Sequence, residues 1–293
     1  MTQHFGTRLA AAMAAAGPLC VGIDPHAHLL QAWGLPDTPE GVRRFSLTVL
    51  DAVAGTCAAV KPQAAFYERH GSAGMAVLEE TLVAARERGL LTVLDVKRGD
   101  IGSTMGAYAE AYLGEGSPLA ADSITVSPYL GYGSLRPALE LARRTGRGLW
   151  VLALTSNAEG RDVQLVGEPT VAARVVAAVA EDVRGMEPFG DVGLVVGATL
   201  PRSPQELGVD LLGCSAPVLA PGVGAQGAGP LDVARTFAGM TERVLVPISR
   251  GVLAAGPDAH ALSESARRWS GELAEALGGR PGSPGLARPT VTR

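Results

Sequence analysis

LTVLDVKRGDIGST, residues 91–104, decides how this chain is read, because within it an apolar, strand-like run passes into a polar turn that carries two acids and a lysine at fixed spacing. Asp95 and Lys97 stand two apart. Side chains of a strand alternate faces with a period of two, so both project to one side while Leu94 and Val96 take the other. Gly99 is expected to permit a sharp turn, Asp100 falls beyond the strand, and Ser103 and Thr104 enter a helix. A buried Asp–Lys pair can serve stability alone, but desolvation consumes much of its Coulomb gain. The segment therefore reads better as a strand end that opens on a functional site.

Similar apolar runs recur on both sides, at 19–23, 58–60, 123–126, 149–154, 192–196, 218–219 and 244–248. With 91–96 they make eight. The intervening stretches have helical spacing, clearest in MAVLEETLVAARER (75–88) and VAARVVAAVAEDVR (171–184), so the order is strand then helix throughout. Eight such units predict an α/β protein whose parallel strands close into a (β/α)8 TIM barrel, a fold that typically needs about 250 residues. The chain has 293 residues. The rival, an open doubly wound sheet, usually shows GxGxxG after its first strand, and here that strand runs into GIDPHAHLL (22–30). The expectation is one domain over 1–277 with a helix capping the barrel ahead of the first strand. The Gly- and Pro-rich stretch 278–293 is expected to form a loose tail.

Hydrophobic residues make up 47% of the chain and aromatics only 4%, so the core must be built from Val, Leu and Ala, as buried parallel strands under Ala-rich helices require. A net charge of −4 with interspersed signs argues against a general nucleic-acid binder, while leaving room for a local phosphate pocket. Cys20, Cys57 and Cys214 are odd in number and lack CxxC spacing, which suggests neither a disulfide framework nor a zinc site and fits a reducing cytoplasm. The run LAAAMAAAG (9–17) faintly imitates a secretion signal but is short and leads straight into the first strand. No apolar run approaches the roughly 20 residues that span a bilayer, so a soluble protein without a membrane partner is expected.

In a barrel of this kind the active site gathers at the C-terminal ends of the strands. Polar residues sit there repeatedly: Asp24 after strand 1, Lys61 at the end of strand 2, Asp95 and Lys97 on strand 3, Ser127 after strand 4, Thr155 and Ser156 after strand 5, and Ser249 and Arg250 after strand 8. One such residue alone would be a helix cap or a solvated charge. Several from distant strands converging on one mouth point to a site. After strand 7 comes APGVGAQGAGP (220–230), and barrels often hold a phosphate between the loops after strands 7 and 8. Its glycines permit close backbone approach, Gln226 can add a neutral donor, and Arg250 supplies a fork suited to phosphate oxygens.

Taken together, GIDP (22–25), VKPQAAFYE (60–68), DVKRGDIGST (95–104), LTSN (154–157), PGVGAQG (221–227) and SRG (249–251) resemble the orotidine 5′-monophosphate decarboxylases, most closely the long bacterial subgroup often called type 2. The resemblance spans most of the chain. It implies a (β/α)8 barrel that converts orotidine 5′-monophosphate to UMP, works as a homodimer with shared sites, and uses no metal or organic cofactor. It further implies that Lys61, Asp95 and Lys97 form a charged array completed by Asp100 of the other subunit, with Lys97 as proton donor. Asp24 and Lys61 would bind the ribose, Thr104 would reach the neighbouring subunit's substrate, and Ser156 would contact the pyrimidine. Gln226, Arg250 and Gly251 would hold the phosphate.

The chemistry accounts for these residue types. Loss of CO2 from C6 leaves an electron pair on a ring carbon without an ordinary sink, and a lysine beside C6 both stabilises that charge and delivers the proton. Two alternatives stay open at this point. One is a Mg²⁺-dependent sugar-phosphate aldolase or decarboxylase of the same superfamily, which shares Asp-x-Lys-x-x-Asp but holds its metal with additional carboxylates where this chain has Lys61. The other is a catalytically silent nucleotide-binding barrel, which would have no need of Lys97.

Overall fold

A computed structural model of the chain describes residues 3–200, 202–224 and 227–278. Eight strands alternate with helices along these residues: α1 (Phe5–Ala16), β1 (Leu19–Ile23), α2 (Ala27–Ala32), α3 (Pro39–Val53), β2 (Ala59–Pro62), α4 (Ala65–Glu68), α5 (Gly71–Glu87), β3 (Leu91–Arg98), α6 (Gly102–Leu113), β4 (Ser123–Val126), α7 (Arg136–Thr145), β5 (Gly148–Leu154), α8 (Arg161–Gln164), α9 (Val171–Asp182), β6 (Val192–Val196), β7 (Val218–Leu219), α10 (Pro230–Thr236), β8 (Val244–Ile248), α11 (Arg250–Leu253) and α12 (Ala259–Ala276). The strands form a closed parallel barrel in sequence order, sealed by β1 against β8 with Leu19 opposite Val246 and Val21 opposite Ile248. This is the (β/α)8 barrel that the recurring apolar runs predict. The stretch 279–293, most of the expected tail, lies outside the described residues.

The predicted alternation fails in one place. After β6 the described chain forms only a 3₁₀ turn, Gln205–Leu207, before β7. The connecting sequence carries Pro201, Pro204 and Pro217 with Gly208 and Gly213 between them, and this spacing leaves no room for a helix of ordinary length. Elsewhere capping follows expectation. Thr38 accepts the Gly41 N–H at the start of α3, where Pro39 occupies the first turn, and Asp258 accepts the Ala261 N–H at the start of α12.

Two apolar layers hold the barrel. The larger lies between strands and helices. The smaller fills the barrel itself, where Cys20, Ala59, Val93, Trp150, Val195, Leu219 and Leu245 meet Phe5 and Leu9 of α1. Phe5 stands edge-on to Trp150 with ring centroids 5.9 Å apart, and its burial contributes about 2–3 kcal/mol. Arg8 fixes the same helix, donating to Asp122 at 2.5 Å and to the Gly146 carbonyl at 2.8 Å. The helix ahead of β1 thus plugs the N-terminal end and leaves chemistry to the other end. Among the described residues no helix is long and apolar enough to cross a membrane. Cys20, Cys57 and Cys214 are all buried and unbridged.

Candidate active site

The period of two that fills the barrel also builds the site. Ala59, Val93 and Ser123 point inward, and two residues further on each strand stand Lys61, Asp95 and Thr125. Asp95 is the hub. Its Oδ2 accepts from Lys61 Nζ at 2.9 Å, and its Oδ1 accepts from Lys97 Nζ at 2.6 Å and from Thr125 Oγ1 at 2.9 Å. Lys61 and Asp95 are buried, whereas the Lys97 side chain is 48% exposed. One amine is therefore sealed in the barrel and the other faces the mouth.

Burial would raise the Asp95 pKa, but the charges of Lys61 and Lys97 and their hydrogen bonds hold the carboxyl well below the usual carboxylate range. For Lys61 burial favours the neutral amine, yet the carboxylates of Asp95 and Asp24 outweigh it and raise its pKa above the ordinary lysine value. Both members of the buried pair are thus charged at neutral pH.

Asp95 and Lys97 share a side as the spacing predicts, but not along a regular strand. The β3–β4 register is regular through Leu94 opposite Ile124 and then shifts, so that Arg98 faces Val126. Within this irregularity Lys97 has φ +44°, the one non-glycine residue in the left-handed region among the described residues. That conformation costs roughly 1–2 kcal/mol. The sharp turn therefore falls at Lys97 rather than at Gly99. Gly99 serves close approach instead: a Cβ there would come within 2.4 Å of the Ser127 carbonyl oxygen. The Lys97 N–H donates to Thr125 Oγ1 at 2.9 Å, so one hydroxyl orients both the carboxylate and the strained backbone.

Across the mouth, Asp24 Oδ2 accepts a hydrogen bond from Ser249 Oγ, while Asp24 Oδ1 is buried without a hydrogen-bond partner. The pairing needs Gly22, where a Cβ would lie 1.9 Å from Ser249 Oγ. Arg250 opens α11 immediately after Ser249. The Gly251 carbonyl accepts from Trp269 Nε1 at 3.0 Å and from Ser265 Oγ at 3.2 Å, and the Leu253 carbonyl accepts from Trp33 Nε1 at 3.1 Å, so α11 is held from two sides. The loop after β7 folds onto itself through the bond from Gly224 N–H to the Ala228 carbonyl at 2.9 Å. Gln226, expected to add a phosphate donor, lies outside the described residues.

Ser156 follows β5 and lines a cleft of about 580 Å³ shared with Arg202 and Gly227. Asp100 and Thr104 make no hydrogen bond or ion pair with the Lys61–Asp95–Lys97 array of their own barrel. Asp100 accepts only the Ile101 N–H, at 2.8 Å, and Thr104 is exposed on the first turn of α6. Next to Asp100, Ile101 is an exposed apolar side chain.

One participant was not singled out by sequence. Thr125 sits in the apolar run SITV, where its signal is a second inward hydroxyl two residues after Ser123. Ser249 is legible as a strand-end polar residue, but nothing local reveals its partner 225 residues away.

The model of the orotidine 5′-phosphate decarboxylase / HUMPS family matches residues 17–265. A protein from Streptomyces coelicolor named orotidine 5′-phosphate decarboxylase is 54% identical over 278 residues, covering 94% of this chain and 99% of the relative. One of the same name from Salinispora arenicola is 51% identical over 280 residues, covering 94% and 99%. A crystal structure from Streptomyces avermitilis is 54% identical, with a TM-score of 0.90 over 94% of this chain and 96% of that one.

Proposed function

Because the chain belongs to the orotidine 5′-phosphate decarboxylase / HUMPS family and converts orotidine 5′-monophosphate to UMP, we propose that the array of Lys61, Asp95 and Lys97 carries out that step. The observation behind this reading is one buried carboxylate gripped by two amines, only one of which faces the barrel mouth. The substrate lies with C6 against Lys97. The C6–carboxylate bond breaks, CO2 leaves, and the bonding electron pair remains on C6. Lys97 Nζ stabilises that charge, gives C6 a proton, and is reprotonated from solvent.

Asp95 lies beside the substrate carboxylate. Two like charges about 4 Å apart repel by about 4 kcal/mol at an effective dielectric of about 20. Enzymes lower barriers by roughly 8–23 kcal/mol, so this repulsion is a minor share. Fixed positive charge at C6 and binding energy from the distant phosphate supply the rest. Arg250 grips that phosphate with Gly251 and Gln226, Ser156 contacts the pyrimidine, and Lys61 and Asp24 hold the ribose. The buried, unpartnered Asp24 Oδ1 supports this last role, since a ribose hydroxyl would satisfy it. The Lys61 amine, between the carboxylates of Asp95 and Asp24, disfavours a metal at that strand end.

The enzyme acts as a homodimer in the cytoplasm. Asp100 and Thr104 serve the partner's site, a reading supported by the lack of any hydrogen bond or ion pair between them and the array of their own barrel and by the exposed Ile101 next to Asp100. Three buried, unbridged cysteines accord with a reducing compartment. The test is incubation with orotidine 5′-monophosphate, with and without EDTA, while UMP is followed. Equal UMP formation in both is expected. Binding of UMP without turnover, or loss of turnover in EDTA, would refute the residue-level reading.

A further inference from the structure

Lys97 carries its amine on a strained backbone, and such a conformation persists only where its surroundings over-determine it. The peptide that joins Val96 to Lys97 is held at both ends. Its N–H donates to Thr125 Oγ1 at 2.9 Å, and its carbonyl accepts from Arg98 Nη1 at 3.1 Å. On the far side the Arg98 carbonyl accepts the Ser127 N–H at 2.8 Å, which fixes the chain after Lys97. The other arm of the guanidinium, Nη2, donates to the Tyr112 hydroxyl at 3.2 Å and pairs with Glu68 at the end of α4. The guanidinium carbon lies 5.7 Å from the ring centroids of both Tyr108 and Tyr112 on α6. Two helices that do not touch the reacting atoms thus fix the planar fork, and the fork fixes the peptide plane from which Lys97 turns.

We propose that Arg98, anchored by Glu68 and Tyr112, is the positioning residue that keeps Lys97 in its left-handed conformation and its amine aimed at C6. Without it the Val96–Lys97 peptide is held at its N–H alone, Lys97 relaxes toward the ordinary β region, and Nζ leaves the point where the proton is delivered. Charge alone does not suffice, because a lysine at this position presents one ammonium group and cannot hold the Val96 carbonyl and the Glu68 carboxylate through a rigid fork.

The inference rests on Lys97 being the proton donor, and the experiment separates the two. Arg98→Met, Arg98→Lys and Glu68→Gln are compared with the parent in kcat, KM, UMP affinity, melting temperature and the rate at which the C6 hydrogen of UMP exchanges in D2O. That exchange is the Lys97 proton transfer run without decarboxylation. Arg98→Met is expected to lose about 100-fold in both kcat and exchange, the scale at which a displacement of about 1 Å is felt, with UMP affinity within about threefold. Arg98→Lys should lose at least about tenfold despite its charge, and Glu68→Gln should fall between it and the parent.

Should Arg98→Met fail to fold, Glu68→Gln, which leaves the guanidinium present but without its carboxylate anchor, decides the matter. Folded variants with kcat and exchange within twofold of the parent overturn the proposal. So does a loss of kcat that leaves exchange intact, or one matched by equal losses of UMP affinity and melting temperature. If Lys97→Ala itself remains active, the proton-donor reading has failed. If Lys97→Ala is dead while the Arg98 variants are unimpaired, the positioning proposal alone has failed.

Discussion

Two lysines contact one carboxylate at nearly the same distance, and the structure predicts that removing them has very different consequences for stability. Lys97 is the closer to Asp95, at 2.6 Å against 2.9 Å for Lys61. At an effective dielectric of about 20, opposite charges 2.9 Å apart attract by about 6 kcal/mol, and desolvation of a buried ammonium cancels several kcal/mol of that. Breaking a buried pair by removing one partner nonetheless costs about 3–5 kcal/mol, because the remaining charge stays buried. In Lys61→Met, Asp95 keeps Thr125 and Lys97, which places the loss near the lower end, about 3 kcal/mol. The Lys97 amine is half in water, so its pair is worth about 1 kcal/mol or less.

Urea unfolding of both variants at matched protein concentration should therefore rank Lys61→Met well below Lys97→Met at pH 7. The pH dependence gives a second check. Asp95 has a depressed pKa when folded, so its stabilisation is complete above the unfolded carboxyl value of about 3.9 and is lost as pH falls toward the folded value. In Lys61→Met the folded pKa moves back up, and the gap between wild type and variant should narrow below about pH 4 by up to about 1.4 kcal/mol per pH unit. Equal midpoints for the two variants, a reversed order, or a gap that does not change with pH would refute the reasoning that burial, not distance, decides the energy.

Lys97→Ala should abolish UMP formation while circular dichroism stays that of the parent, and near-normal kcat in a folded variant would reject Lys97 as the donor. Arg250→Ala should lower kcat/KM by about 10- to 100-fold, the value of a charge-assisted contact of 1.5–3 kcal/mol, and should leave turnover of the phosphate-free nucleoside unchanged. Losses of equal size with and without the phosphate would move that subsite elsewhere. Lys97→Ala and Asp100→Ala chains, each nearly inactive, should complement when mixed: a heterodimer carries both lesions in one site and none in the other, giving about half the wild-type activity per heterodimer. Exchanged subunits no more active than the separate mutants would return Asp100 to its own barrel.

The strands were legible because parallel strands buried on both faces read as continuous apolar runs, and all five residues of β1, β6 and β8 are buried. The Asp95–Lys97 contact was legible from spacing alone, yet its cause was not. A register shift depends on how β3 meets β4, and nothing in residues 91–98 announces that Lys97 adopts φ +44°. Gly99 looked like the turn because glycine allows one, whereas the Ser127 carbonyl that requires it lies just past the end of the next strand. The clasp between Arg98 and Glu68 joins residues 30 apart on different elements, and Thr125 reaches Asp95 across the same separation. Local pattern tells which face a side chain takes; it does not tell what waits on that face.

Of the three tryptophans, Trp33 and Trp150 are buried, and only Trp269 is partly exposed while its indole N–H holds the carbonyl of the residue next to Arg250. Indole emission shifts with local polarity and hydrogen bonding, so the chain carries a built-in optical gauge at the end of the barrel where an anion would dock. Titration with UMP or with inorganic phosphate can be followed by that signal in the unlabelled enzyme, with Trp269→Phe as the blank. Occupancy at Arg250 thereby becomes measurable apart from turnover, on a timescale faster than any assay of product.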